Sequence, residues 1–198
     1  MPDSAVDPGL DAAASNADNL EAGLVFLEAL VAGRIAEESD QAPPELPKPA
    51  LIDDGSPLAK LVAERRPNFM EYTVLMLALA PHVRPGLLER AVHGGLAGEA
   101  DLPQFGGRRD KDSRAVVATG ETACFLLAGD DLEARLDVLR LFEASHWLAE
   151  DGLVRLEASV PGTPLLSGRL QVSREWVERL TIGPVSYTHL RAHETGYN

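Results

Sequence analysis

Thr119-Gly120-Glu121-Thr122 is the densest polar cluster in the chain and stands directly ahead of the apolar run at 123–128. Two hydroxyls and a carboxylate at a helix start have two uses. The N–H groups of a first turn can hold an anion, and the same side chains cap the helix that follows. Capping is the simpler use and is expected here. A second anion contact is offered by Gly106-Gly107-Arg108-Arg109-Asp110-Lys111-Asp112. A phosphate-binding loop needs a preceding strand and a Gly-Lys-Ser/Thr ending. This stretch has neither, and no Gly-Lys pair occurs anywhere in the chain. A solvated loop is expected.

The remaining reactive residue types are scattered. Cys124 is the only cysteine, which excludes an internal disulfide and any multi-cysteine zinc site. Its neighbours are apolar and no histidine is near in sequence, so an inert buried thiol is expected. His82 and His93 stand eleven residues apart, which is not a metal-ligand spacing. His146 lies between Glu143 and Glu150 near a helix end, where it would compensate the helix dipole. "CFLLAGDD" (124–131) looks like a strand ending in acidic ligands, but Gly129 as a helix stop and Asp130 as the next cap explain it better. Trp147 and Trp176 are expected to pack in the core or on a hairpin. No catalytic, cofactor-binding or metal residue is assigned. The positions kept, with their role open, are Thr119, Gly120, Glu121, Thr122, Gly106 and Gly107.

Positioning elements can be read along the chain. Residues 1–15 are small and acidic, and disorder is expected. Leu20, Leu24, Leu27, Val31 and Ile35 then recur at helical spacing, which predicts an amphipathic helix over 16–39. Residues 40–55 are proline-rich and predict a stiff linker. Ser56-Pro57 starts a helix that Arg65-Arg66-Pro67 stops. Asn68 with Glu71 forms a capping-box pair. The helix behind it, "YTVLMLALA", is apolar all round and should be the central core helix, ending at Pro81. Pro85 opens a shorter helix closed by Gly94-Gly95. Residues 96–119 are expected to form a long loop with a short strand at 115–117.

Further on, Leu132, Leu136, Leu139 and Phe142 share one face of a predicted helix. "GLVRLEA" (152–158) and "GRLQVS" (168–173) alternate with period two and predict a β-hairpin with a long loop. Ser173 caps a last helix. The fold class is therefore α+β, mostly α: a helical bundle, then a winged-helix-like helix–β-hairpin–helix arrangement.

Composition narrows the partners. The 198 residues are 45% hydrophobic and carry a formal net charge of −13. That acidity disfavours nucleic acid, because phosphate neutralisation drives such binding. No apolar run approaches the length of a spanning helix, and the acidic N-terminus lacks a basic n-region and apolar core. A soluble, cytoplasmic chain is expected.

Two resemblances add to this. "VSYTHLRAHET" (185–195) resembles a translated sequencing-library adapter, so residues 184–198 are set aside as an artefactual tail. The His189/His193 pair, otherwise at metal-binding i, i+4 spacing, goes with it. Second, residues 56–183 resemble the region before the ATPase module in AAA+ proteins of phage-tail-like contractile injection clusters, the antifeeding-prophage type. The matching text is "EYTVLMLALAPHVRP" (71–85), "LPQFGGRRDKDSRAVVATGETACFLLAGDD" (102–131) and "LLSGRLQVSREWVERLTIG" (165–183). Ala118 departs from the proline, and Trp176 from the tyrosine, that the pattern would carry.

The resemblance implies a non-catalytic N-terminal accessory domain of an AAA+ ATPase, serving substrate recognition or ring assembly. ATP and Mg would belong to the full-length protein, whose Walker motifs would lie beyond this point. The implied partners are that ATPase module, further copies in a ring, and a protein substrate. No nucleic acid and no membrane are implied. The alternative is a stand-alone winged-helix-like protein-binding or regulatory module. An enzyme using Cys124 or the 119–122 cluster is the weaker third reading.

Overall fold

The computed structural model describes residues 8–39, 41–48, 51–95, 105–109, 116–158 and 161–183. The tail 184–198 with its two histidines, and residues 1–7, 96–104 and 110–115 with Lys111, Asp112 and Ala115, lie outside them. The fold is α+β and mostly helical, with two small antiparallel sheets.

Helix α1 spans Pro8–Glu38. It starts earlier than the expected 16, so residues 8–15 are helical rather than disordered. Pro8 presets a helical φ at the first position, and Ala12, Ala13 and Ala14 are the best helix formers available. The five predicted face residues are all buried, joined by Phe26 and Leu30. The segment Gln41–Lys48 has no regular structure, as its prolines lack amide donors.

Helix α2 (Pro57–Arg65) ends at Arg66 in the left-handed region, φ 46°, just before Pro67. Ser56 sits at its N-cap position but makes no capping bond. Its hydroxyl accepts instead from Asn19 Nδ2 at 3.0 Å, and the Leu58 N–H goes to Asn16 Oδ1 at 3.1 Å. The start of α2 is thus satisfied from α1, a tertiary substitute for local capping.

Helix α3 (Phe69–Val83) opens with the expected Asn68/Glu71 capping box, and every residue from Tyr72 to Ala80 is buried. Pro81 does not end it. The helix runs two residues further, held by the Arg84 N–H on the Ala80 carbonyl at 2.8 Å. A proline costs one backbone hydrogen bond, and this late in the helix the buried face behind it sustains the last turn. After the turn at Gly86 (φ +80°), helix α4 spans Leu87–Gly95.

Strand β1 (Arg108–Arg109) pairs with β2 (Val116–Val117), so part of the glycine-rich basic stretch is sheet rather than solvated loop. Helix α5 (Gly120–Leu127) follows, then α6 (Leu132–Arg140), α7 (Trp147–Glu150), β3 (Val154–Glu157), β4 (Arg169–Val172) and α8 (Arg174–Thr181). The cap of α6 is Asp131, not Asp130; its carboxylate accepts from the N–H groups of Glu133 and Ala134. On that helix Val138 is buried and Leu132 and Leu136 face solvent, while Leu139 and, just past the helix, Phe142 pack against the core, so only half of the expected apolar face is covered.

The predicted hairpin forms in the register Val154↔Val172 to Glu157↔Arg169. Beside β4, on the side away from β3, runs the chain entering α5. Leu170 N–H bonds Ala118 O at 2.9 Å, and Gly120 N–H bonds Gly168 O at 3.1 Å. Helix α3 is central: α1, α5, α8 and the β3–β4 hairpin all pack on it. The described residues of 16–39 and 56–183 therefore share one core.

Candidate functional site

The Thr119–Thr122 cluster is a structural joint. Thr119 caps α5: its Oγ1 accepts from Thr122 N–H at 3.3 Å, and Thr122 Oγ1 accepts from Thr119 N–H at 3.0 Å. Thr119 Oγ1 also donates to the Gly106 carbonyl at 2.8 Å. Both threonines and Gly120 are buried. Glu121 holds Arg135 Nη2 with both oxygens, at 2.7 and 2.6 Å. Gly106 has φ +67°, and a Cβ there would stand 2.5 Å from Glu121 Cβ. A Cβ on Gly107 would stand 2.7 Å from Val116 Cγ1. These glycines let the loop close over the start of α5, and the polar groups are committed to one another. The cluster caps; it does not offer an open anion cradle.

Two other sets of reactive residues are equally committed. Cys124 is fully buried, and burial pushes its thiol pKa up to about 11. His146 stands at the start of α7, not at a helix end in need of a cation. Its Nδ1 accepts from Leu148 N–H at 3.3 Å, so the neutral ring carries its proton on Nε2, 3.1 Å from Glu71 Oε1. The same carboxylate oxygen accepts from Trp147 Nε1 at 2.8 Å, and Oε2 accepts from Asn68 N–H at 2.7 Å. This carboxylate–imidazole–indole cluster pins α3 to α7. Its partners are 75 residues apart, beyond any sequence motif.

The open site is elsewhere. A cleft of about 460 Å³ lies between the α3–α4 turn, β2 and the β3–β4 hairpin. Arg84, Arg155, Arg169 and Arg174 line it, with His82, Gln171 and Ser173. Val154, Leu170 and Val172 are buried in the core, so the opposite hairpin face, with Arg155, Arg169 and Gln171, turns outward. Arg84 is the residue that closes α3, and Arg174 is the first of α8.

Among the described residues no aspartate or glutamate lines the cleft, in a chain with 31 acidic and 18 basic residues. At the rim, Arg84 is held by Glu21, and this bond raises its pKa further. Arg174 Nε donates to Glu178 Oε1 at 2.8 Å. Arg155 is exposed and has no ion pair or side-chain hydrogen bond among the described residues. Desolvation holds the His82 pKa below its ordinary 6.5. The cleft can hold anionic groups by charge-assisted hydrogen bonds.

Sequence reading missed these four arginines. The outward alternation of Arg155 and the Ser173 cap before Arg174 were visible, but only the register and the packing of α3 bring them together.

The fold and site thus define a mostly helical α+β domain with an arginine-lined cleft. No family model matches the chain, and no curated protein or solved structure matches it.

Proposed function

We propose that this chain is a non-catalytic binding module, the N-terminal accessory domain of an AAA+ ATPase of the contractile-injection type. The cleft carries the reading. Its four arginines, gathered with no carboxylate among the described lining residues, suit capture of a partner and not a bond-breaking step. The committed Thr119–Thr122 cluster and the buried Cys124 support the same division of labour. ATP and Mg would belong to the ATPase module that follows, and recognition of a protein substrate or ring assembly would be the role of this part. The setting is cytoplasmic; among the described residues no helix is long and apolar enough to cross a membrane.

The winged-helix-like reading of the second half is supported by one detail. Residues 118–120 run beside β4, and the order α5, α6, α7, β3, β4, α8 follows them. The same half supports the alternative, a stand-alone protein-binding or regulatory module. Helix α6 presents Leu132 and Leu136 one turn apart to solvent, 69% and 47% exposed. An apolar outward face suits a protein partner and not a phosphate backbone.

Amplifying the source gene onward from the codon for Gly183 separates the two. An open frame reaching a Gly-x-x-x-x-Gly-Lys-Thr-like loop is the expected result. A natural stop codon shortly after Gly183 removes the ATPase reading and leaves the stand-alone module.

A further inference from the structure

The connection from Glu38 to Pro57 is longer than the roughly 12–15 residues that connections in compact domains usually reach. It is held at its two ends. Gln41 N–H bonds the Ala36 carbonyl at 2.8 Å, and Ile52 is bound by Asn19 through both its N–H and its carbonyl. Between these anchors, residues 42–48 make no hydrogen bond or ion pair among the described residues. All of them are exposed except Pro47, which is half-buried. Pro43 rests beside α1, where a Cβ on Gly33 would stand 3.9 Å from its own Cβ.

The text of this strap, "APPELPKP" (42–49), constrains its backbone. A proline presets its own φ near about −65°, and the residue before a proline is pushed to the extended region. Every residue from 42 to 48 is a proline or precedes one, except Glu45. The favoured form is a polyproline II helix with about three residues per turn, so residues i and i+3 share an edge. Pro43 and Leu46 then form one apolar edge, and Pro44 and Pro47 a second. Ala42, Glu45 and Lys48 form the third. A strap that only runs back along α1 needs extension, which the prolines supply. It does not need Leu46 left 38% exposed beside Pro43.

We infer that residues 42–48 are a ligand for a partner domain whose aromatic-lined groove reads polyproline II helices. Such a groove takes Pro-x-x-Pro segments, and a preformed helix loses little conformational entropy on docking. The two apolar edges, Pro43 with Leu46 and Pro44 with Pro47, enter between the aromatic rings. Glu45 and Lys48 stay in water, and the unbonded backbone carbonyls accept from donors on the groove wall. None of residues 42–48 lines the arginine cleft. This surface is therefore separate from the cleft and belongs to the chain whether or not an ATPase module follows.

The test is an amide NMR titration of the full chain with an isolated SH3 domain and, separately, with a WW domain, two readers of this helix. One of them is expected to shift the amides of Ala42, Glu45, Leu46 and Lys48 and to leave those of Arg155 and Gln171 in the cleft in place. Replacing both Pro44→Ala and Pro47→Ala should weaken binding at least about tenfold while the core amides keep their positions. Glu45→Gln with Lys48→Gln changes only the third edge and should alter binding less than about threefold.

Leu46→Ser touches no proline and is the second variant. It should weaken binding at least about fivefold, and it carries the test if the double proline variant loosens the strap. No shift at residues 42–48 with either domain overturns the proposal. So does binding unchanged in both the double proline variant and Leu46→Ser. An equal loss in the third-edge variant overturns it in favour of a charge contact. Shifts confined to the cleft overturn it in favour of that surface.

Discussion

Cys124 sits in the apolar interior of α5, and burial pushes its pKa up to about 11. The thiolate is the nucleophile in cysteine chemistry, so a thiol reagent at neutral pH should leave the folded protein unmodified. Full reaction is expected only after denaturant unfolds it. Stoichiometric labelling of the native protein within minutes would contradict this burial and return Cys124 to consideration as a reactive group. His82, at the cleft, has its pKa held below 6.5 by desolvation. In the folded state it binds fewer protons than in the unfolded state as pH falls through that value. Its contribution to stability is therefore intact above pH 6.5 and is lost on acidification from there toward the folded pKa. An NMR titration of the imidazole should give a midpoint below 6.5, and a midpoint above it would require an anion in the cleft.

At the scale of elements, the entry to α5 is the tightest joint. A Cβ on Gly120 would stand 2.8 Å from the Cα and the carbonyl oxygen of Leu166, and backbone cannot rotate aside as a side chain does. Gly120→Ala should cost about 2 kcal/mol despite the better helix propensity of alanine. A urea titration measures this, and a neutral or stabilising result would mean that the 3₁₀ turn Leu165–Ser167 moves freely. The periodicity of α1, the capping box of α3 and both strands of the hairpin were legible because each rests on neighbours within a few residues. The continuation of α3 through Pro81 was not. A proline weakens a helix locally, but nine consecutive buried residues behind it decide the outcome. That Leu132 and Leu136 face solvent while Leu139 and Phe142 pack on the core was not legible, because helical spacing tells which residues share a face and not how much of that face is covered.

Across the whole molecule, α1 is part of the core and not an appendage behind a proline linker. Asn16 is almost wholly buried and ties three elements: its Oδ1 accepts from Leu58 N–H in α2, and its Nδ2 donates to the Leu180 carbonyl in α8 at 2.8 Å. Asn19 likewise binds both the N–H and the carbonyl of Ile52. A fragment of residues 56–183 would expose the apolar surface that α1 covers and leave the Leu58 N–H and the Leu180 carbonyl without their Asn16 partner, each costing about 1–3 kcal/mol where still buried. We expect that fragment to keep helical circular dichroism but lose amide dispersion in NMR and bind hydrophobic dye. Well-dispersed spectra from it would show that the core closes without α1.

By itself the sequence determined the helical and strand periods, the caps written within four residues, and the mostly helical α+β class. It also determined the net acidity and the solitary cysteine. Tertiary structure alone decided that Pro81 lies inside a helix, that Asn16 does the work of caps, and that four arginines share one cleft. Propensity and capping act between near neighbours and are written in the local text. Burial and electrostatic focusing also join residues far apart in the chain, such as Glu71 and His146, and exist only once α3 has gathered the other elements around it.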